Sequence, residues 1–307
     1  MIELITQTIS LLIIFFIGYG LKHVGLLKSS DGSGLFRLVF YVGAPALILT
    51  TLPTLVLSRE VLWLAALPLL IIITTFTLLL VARRQRIVTL PKKTFGTLVT
   101  GAVIMNTGFL IPFVDQFYGV QGLAKLMVID TVNAALTFSL VYFAVIKIAG
   151  DTPDWRYSLQ KLFAAPPLWA LLIALLLNAT NAEIPGTLLP IVEFIARLVG
   201  PVILLGLGLQ FSWKIVRPSI TLLGLAARFL LGGIIGLSVV WLAGLDGLAA
   251  HIVVLAAMAP IGFNAIVFSD MEKLDTRFAS SLVGASIVTA ILLLPVLVFL
   301  LNGLFPI

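Results

Sequence analysis

The chain has no cysteine, so disulfides, zinc–thiolate sites, iron–sulfur clusters and a cysteine nucleophile are all excluded. It has two histidines, His23 and His251, too few by themselves for a typical histidine metal site. Charge is scarce as well. Asp, Glu, Lys and Arg make up 10% of 307 residues, against about 25% in an average soluble domain. Apolar residues make up 61%, and the mean hydropathy is +1.20. A chain this apolar cannot hide its surface in one water-soluble core, which excludes a soluble enzyme, a nucleic-acid-binding domain and a secreted scaffold. It reads as an all-α integral membrane protein.

The apolar residues fall in ten runs, each near the length that crosses a bilayer as a helix. Nine contain no Asp, Glu, Lys or Arg: Leu4–Leu21, Leu38–Ser58, Val61–Ala82, Thr94–Val114, Leu162–Ala182, Leu198–Trp213, Phe229–Leu245, Ile252–Ser269 and Phe278–Ile307. The other, fifth in chain order, is Leu126–Ile146, apolar except for Asp130. The runs are continuous rather than alternating, which argues against a strand barrel. The first has Glu3 before it instead of a basic segment, and reads as a retained helix rather than a signal peptide. With the N-terminus outside, fourteen Lys and Arg fall in cytoplasmic loops and two, Arg59 and Lys125, in outside loops. That bias predicts ten spans in a cell (inner) membrane with both termini extracytoplasmic. It also accounts for the basic run Arg83–Lys93 and for the net charge of +6 without a nucleic-acid partner.

Ten spans divide into five and five, and an odd number per half inverts the second half. Arg37-Leu38-Val39 opens span 2 and Arg197-Leu198-Val199 opens span 7, 160 residues on; Gly108-Phe109 and Gly262-Phe263 lie 154 apart in spans 4 and 9. The expected organisation is therefore an inverted repeat: residues 1–150, a short cytoplasmic linker at 151–165, and residues 166–307. Spans 4 and 9 are interrupted at matching places. Asn106, Thr107, Gly108 and Pro112 fall within one; Pro260, Gly262 and Asn264 within the other. Proline removes a backbone donor and glycine loosens the helix. Unwound backbone at membrane depth is tolerated only inside protein or around a water-filled cavity. A matched pair of such breaks points to a transport site, where half-helix N-termini receive an anion and Asn side chains both donate and accept.

The motifs at these breaks are specific. NTGFLIP, then QFYG and VIDTVNAAL, closely resemble the auxin efflux carrier family, as does AMAPIGFNAIVFSDMEKLDTRFASSLVGASIVTAILLLP in spans 9 and 10. IARLVGPVILLGLGLQ in span 7 is similar to the family pattern, and the resemblance covers nearly the whole chain. It implies ten helices with broken, crossing helices 4 and 9, a fold shared with bile-acid–sodium symporters. It further implies movement of organic anions such as auxins, malate or malonate. The short linker is similar to that of bacterial members. The usual pattern reads NTGFLGIP, one residue longer before the proline, and plant members often have proline where this chain has Met105.

The expected substrate site comprises Asn106, Thr107, Gly108, Asp130, Asn133, Pro260, Gly262 and Asn264, with no metal and no cofactor. Asp130 lies well inside span 5 with Asn133 one turn on; it either carries a proton or cation, or hydrogen-bonds the broken backbone. Arg37 and Arg197 read as snorkelling to the interface, or as attracting a carboxylate. Glu193 and Arg197, four apart, are expected to pair. Arg228 is expected at the cytoplasmic opening of span 8, both histidines in or beside loops, and Trp63, Trp169 and Trp241 at the interface or in packing.

These readings favour a secondary transporter of a small organic anion, working by elevator-type alternating access, exporting and sodium-independent. The partners are that anion and the bilayer, and homodimerisation stays open. The alternative is sodium- or proton-coupled symport on the same fold. A passive channel and a membrane-embedded enzyme fit less well. No paired aspartates lie within a span for magnesium diphosphate, Ser286 has no histidine in a span to serve it, and no Gly-Lys-Ser/Thr phosphate loop is present.

Overall fold

Without water to bond its peptide groups, an apolar chain must satisfy them internally, and the α-helix does so within one segment. The computed structural model describes residues 2–55, 58–149, 160, 163–212 and 214–307. All regular elements among them are helical apart from one isolated bridge, Met105 with Ile261. Six helices are long and apolar enough to cross a membrane, and three shorter apolar ones accompany them. The expected linker lies outside the described residues, apart from 160 and 163–165.

In chain order the helices are α1 (Ile2–His23), α2 (Ser29–Leu38), α3 (Ala44–Thr51), α4 (Arg59–Arg84), α5 (Lys92–Val103), α6 (Thr107–Leu136) and α7 (Tyr142–Ala149). Then follow α8 (Pro166–Thr180), α9 (Leu189–Gln210), α10 (Pro218–Ala243), α11 (Gly247–Ala257), α12 (Asn264–Met271) and α13 (Thr276–Leu304). Span 2 is α2 and α3 joined through a π-helical turn at Val39–Gly43. Span 4 is divided between α5 and the start of α6, and span 9 between α11 and α12. α6 leaves helical geometry at Gly119 (φ 59°, ψ −156°), so the end of span 4 and the start of span 5 are separate helical pieces. A second π-helical turn, Thr137–Val141, joins α6 to α7.

The chain forms two compact units, each drawing on both sequence halves. The first contains residues 1–61, 108–131 and 164–211. Within it α1 lies along α9, and α3 packs on α8 and α9. The α1–α9 approach is as close as backbones allow: a Cβ on Gly208 would stand 2.0 Å from the Phe15 carbonyl oxygen, and one on Gly18 2.3 Å from that of Leu205. Small residues let membrane helices meet where lipid supplies no hydrophobic drive. Asn178 donates to the carbonyls of Pro53 (2.8 Å) and Leu55 (2.7 Å), satisfying the frayed end beyond α3. Lys125 pairs with Glu60, and Arg197 with Glu193 at 3.1 Å as the spacing predicts. Arg37 and Arg197 are both exposed.

The second unit contains residues 62–107, 132–163 and 212–307. Its centre is made of two short helices buried on every side. In α5 all residues from Thr94 to Val103 are buried, and in α11 all from Ala249 to Ala257. At about 1.5 Å per residue, such helices cover roughly half the bilayer core. α10 and α13 pack around them. Large apolar side chains of this unit face outward, Trp241 at 87% exposure among them, as lipid-facing surfaces require. The N-terminus of α5 is fastened by Asp275, which accepts from Arg217 Nη1 (3.0 Å) and Thr94 Oγ1 (3.2 Å) and caps α13 at Phe278 N (3.2 Å).

Candidate functional site: two broken helices that cross

α5 stops at Val103, and Ile104 turns to extended geometry (φ −83°, ψ 114°). α11 stops at Ala257, before Met258. The two breaks cross within the second unit. Asn106 N–H donates to Pro260 O at 2.8 Å, and Gly262 N–H donates to Ile104 O at 3.0 Å. These bonds flank Met105 and Ile261, which oppose each other as a non-hydrogen-bonded antiparallel pair. Two unwound stretches thus satisfy each other, which is what lets irregular backbone persist at membrane depth. Pro260 enters only through its carbonyl, so its missing N–H costs nothing here. The pairing also leaves Met105 N–H unused, so the proline of plant family members at that place would break neither bond.

Side chains from outside the breaks complete the crossing. Ser286 Oγ accepts from Ile261 N–H (3.0 Å) and donates to Val283 O (2.8 Å), tying α13 to the crossing. Asn133 Nδ2 donates to Met105 O at 3.0 Å and reaches Thr107 Oγ1 at 3.4 Å. Gly262 is required sterically: a Cβ there would come within 2.6 Å of Ile104 Cγ2 and 3.3 Å of Met105 O. Half-helices α6 and α12 begin at Thr107 and Asn264, so an N-terminal end follows each extended stretch. Asn133 Oδ1 and Thr137 Oγ1, one turn apart, are buried and have no hydrogen-bond partner among the described residues. Thr137 opens the π-helical turn and does not make the bond to the carbonyl four residues back that a helical threonine often makes.

Of the eight residues predicted for the site, six belong to this unit: Asn106, Thr107, Asn133, Pro260, Gly262 and Asn264. Thr107, Asn133, Pro260 and Gly262 are buried, and Asn106 and Asn264 half-buried. Gly108 and Asp130 belong to the first unit and are half-buried along α6. Among the described residues no group of three His, Cys, Asp or Glu could hold a metal ion.

Three expectations are corrected. Arg37 and Arg197 do not open their helices: Arg37 lies in the last turn of α2, and α9 begins eight residues before Arg197, at Leu189, because uncharged stretches alone do not mark where a helix starts. Arg228 is not at an opening. α10 begins ten residues earlier, at Pro218, so Arg228 lies inside the helix and is 0% exposed. Its guanidinium donates to three backbone carbonyls: Ala259 O from Nε (2.9 Å), Ala102 O from Nη1 (3.2 Å) and Ala257 O from Nη2. His251 is likewise not in a loop: it is buried in α11, with its Nε2 2.9 Å from Phe305 O. The sequence does carry a signal for Arg228, the glycine one turn on in AARFLLGGIIG. A Cβ on Gly232 would stand 2.2 Å from Ala257 O, the carbonyl that Arg228 holds.

Comparison with known proteins places the chain among membrane transporters. A transporter of Methanothermobacter thermautotrophicus, described as uncharacterized, is 29% identical over 94% of this chain and 96% of its own length. An uncharacterized transporter of Methanocaldococcus jannaschii is 24% identical over 88% of this chain and 90% of its own. The family described as "membrane transport protein" matches residues 3–152 and 155–298, nearly the whole chain and all of the crossing. The chain belongs to that family, the auxin efflux carriers, and is a multi-pass membrane protein of the transporter class.

Proposed function

We propose that this protein is a secondary carrier of a small organic anion, a carboxylate of the auxin, malate or malonate kind. It exports the anion without sodium by elevator-type alternating access. Ten spans form an inverted five-plus-five repeat in the cell membrane with both termini outside, and the unit bearing the crossing moves with its cargo.

The observation that carries this reading is the reciprocal bonding of Asn106 to Pro260 and of Gly262 to Ile104. It frees two half-helix N-termini inside an apolar protein, each worth about half a positive charge. Their positive dipole ends suit a carboxylate, while Asn106 and Asn264 supply amide groups beside them. The buried Asn133 Oδ1 asks for a donor, which a hydroxyl or N–H on the substrate would provide. A thermal-shift screen of the purified protein over mono- and dicarboxylates tests this. Stabilisation grows with ligand concentration above Kd, by about 2.7 kcal/mol at a hundredfold excess. The ligand found is then expected to be recovered chemically unchanged after transport, which separates a carrier from an enzyme.

A second reading, cation-coupled symport, is favoured by one feature. Asn133 Oδ1 and Thr137 Oγ1 are two buried acceptor oxygens on one helix face, of the kind that ligates a hard cation.

A further inference from the structure

A crossing of two broken helices presents four helix ends, two positive and two negative. The N-terminal ends of α6 and α12 suit an anion; the C-terminal ends of α5 and α11 do not. Each C-terminal end carries about half a negative charge and a set of carbonyls without helical partners. The negative ends would draw a cation to the site and weaken its hold on a carboxylate unless something within the protein met them.

Arg228 meets both. Its Nη1 reaches Ala102 O, in the last turn of α5, and its Nη2 reaches Ala257 O, the last residue of α11. Nε takes Ala259 O, just before the crossing stretch. Its one positive charge matches the sum of two half-charges. Burial is complete, and none of the ion pairs among the described residues includes it, so its charge is spent on carbonyls. The guanidinium carries five donors and no acceptor, enough to reach the three carbonyls at once. Gly232 gives the Ala257 carbonyl the space to approach.

We propose that Arg228 is a built-in cation: it neutralises the two negative helix ends, leaves the crossing net positive, and so makes the site select an anion without a coupling sodium. It is a positioning and specificity-determining residue, acting through the backbone rather than on the substrate. This rests on the carrier reading above and supplies its charge logic.

The test compares the full-length wild type, Arg228→Lys and Arg228→Gln in choline, sodium and low-millimolar guanidinium at equal ionic strength. The readouts are melting temperature and carboxylate half-saturation. Wild type and Arg228→Lys are expected to melt alike in sodium and choline. Arg228→Gln is expected to be stabilised by guanidinium or sodium but not by choline. Its half-saturating carboxylate concentration in choline should rise tenfold or more and fall again with guanidinium. Arg228→Gln recovered as a single species only in guanidinium also supports the assignment. Indifference of Arg228→Gln to all three cations with wild-type half-saturation overturns it, as does a failure to fold that no cation repairs. So does a folded Arg228→Lys that has lost carboxylate binding, because then the fork matters and the charge does not. If wild type moves no carboxylate while Arg228→Gln still responds to cations, the carrier reading fails and the charge assignment stands.

Discussion

Gly262 N–H meets Ile104 O at 3.0 Å, and the same approach leaves only 2.6 Å between a Cβ on Gly262 and Ile104 Cγ2. The bond that closes the crossing and the absence of a side chain at residue 262 are one requirement. Gly262→Ala is therefore expected to lower stability by about 1–3 kcal/mol, the usual cost of overpacking a tight core. The Gly262→Ala/Ile104→Ala double variant is expected to lose less than the sum of the single losses, because each single change is partly relieved by the other. Denaturation of all three in detergent gives the coupling. Strict additivity would mean that the crossing relaxes elsewhere.

Asn106 and Asn264 stand at the two breaks, each half-buried. A hydrogen bond to a charged ligand contributes about 1.5–3 kcal/mol, roughly tenfold or more in affinity. Asn106→Ala and Asn264→Ala are expected to weaken carboxylate binding by that factor with little change in unliganded melting temperature. Asn133→Ala differs in kind. It strips Met105 O of its buried donor, so it should also cost about 1–3 kcal/mol of stability. Titration of the three variants by thermal shift separates the roles. Unchanged affinity in both Asn106→Ala and Asn264→Ala would remove the substrate from the crossing.

Asp275 joins three elements: it receives Arg217 and Thr94 and caps α13 at Phe278. Asp275→Ala is expected to destabilise by about 1–2 kcal/mol through the lost cap alone, with the stranded Arg217 adding to it. Asp275→Asn, which keeps an acceptor oxygen, should cost less. Equal losses in the two variants would make the charge, not the cap, the larger contribution.

The Lys and Arg bias predicts sidedness, and the cysteine-free chain makes labelling clean. Gln85 and Asp246 are both exposed. Gln85→Cys should react with a membrane-impermeant thiol reagent only from the cytoplasm, and Asp246→Cys only from outside. Reversal at both positions would invert the topology, and reaction of both from one side would contradict the span count.

Much of the crossing was legible in the sequence. Gly108-Phe109 beside Asn106, and Gly262-Phe263 beside Pro260, recur at matched places in the two halves, and that match marked both breaks. What escaped depended on contacts that no local pattern encodes. Arg228 looked like the end of an apolar run, because a charge interrupts such a run whether it faces water or three carbonyls. His251 was misplaced because the start of α11 was set too late, past Asp246, whose side chain accepts from Gly247 N–H. The π-helical turn that sets Thr137 apart has no signature in TFSLV. The two compact units could not be read at all: each gathers segments from both sequence halves, and only packing decides which helices join.

The central claim is sodium-independent, electrogenic movement of a carboxylate. A monoanion leaving a negative interior gains about 2.3 kcal/mol per 100 mV, so export needs no coupled ion. The direct measurement is current across proteoliposomes on adding the carboxylate identified by thermal shift, first in sodium and then with sodium replaced by choline. The account predicts equal currents in the two solutions, saturating with carboxylate. A current that disappears in choline and returns with sodium would contradict it and turn the protein into a symporter, with Asn133 and Thr137 as the first residues to examine.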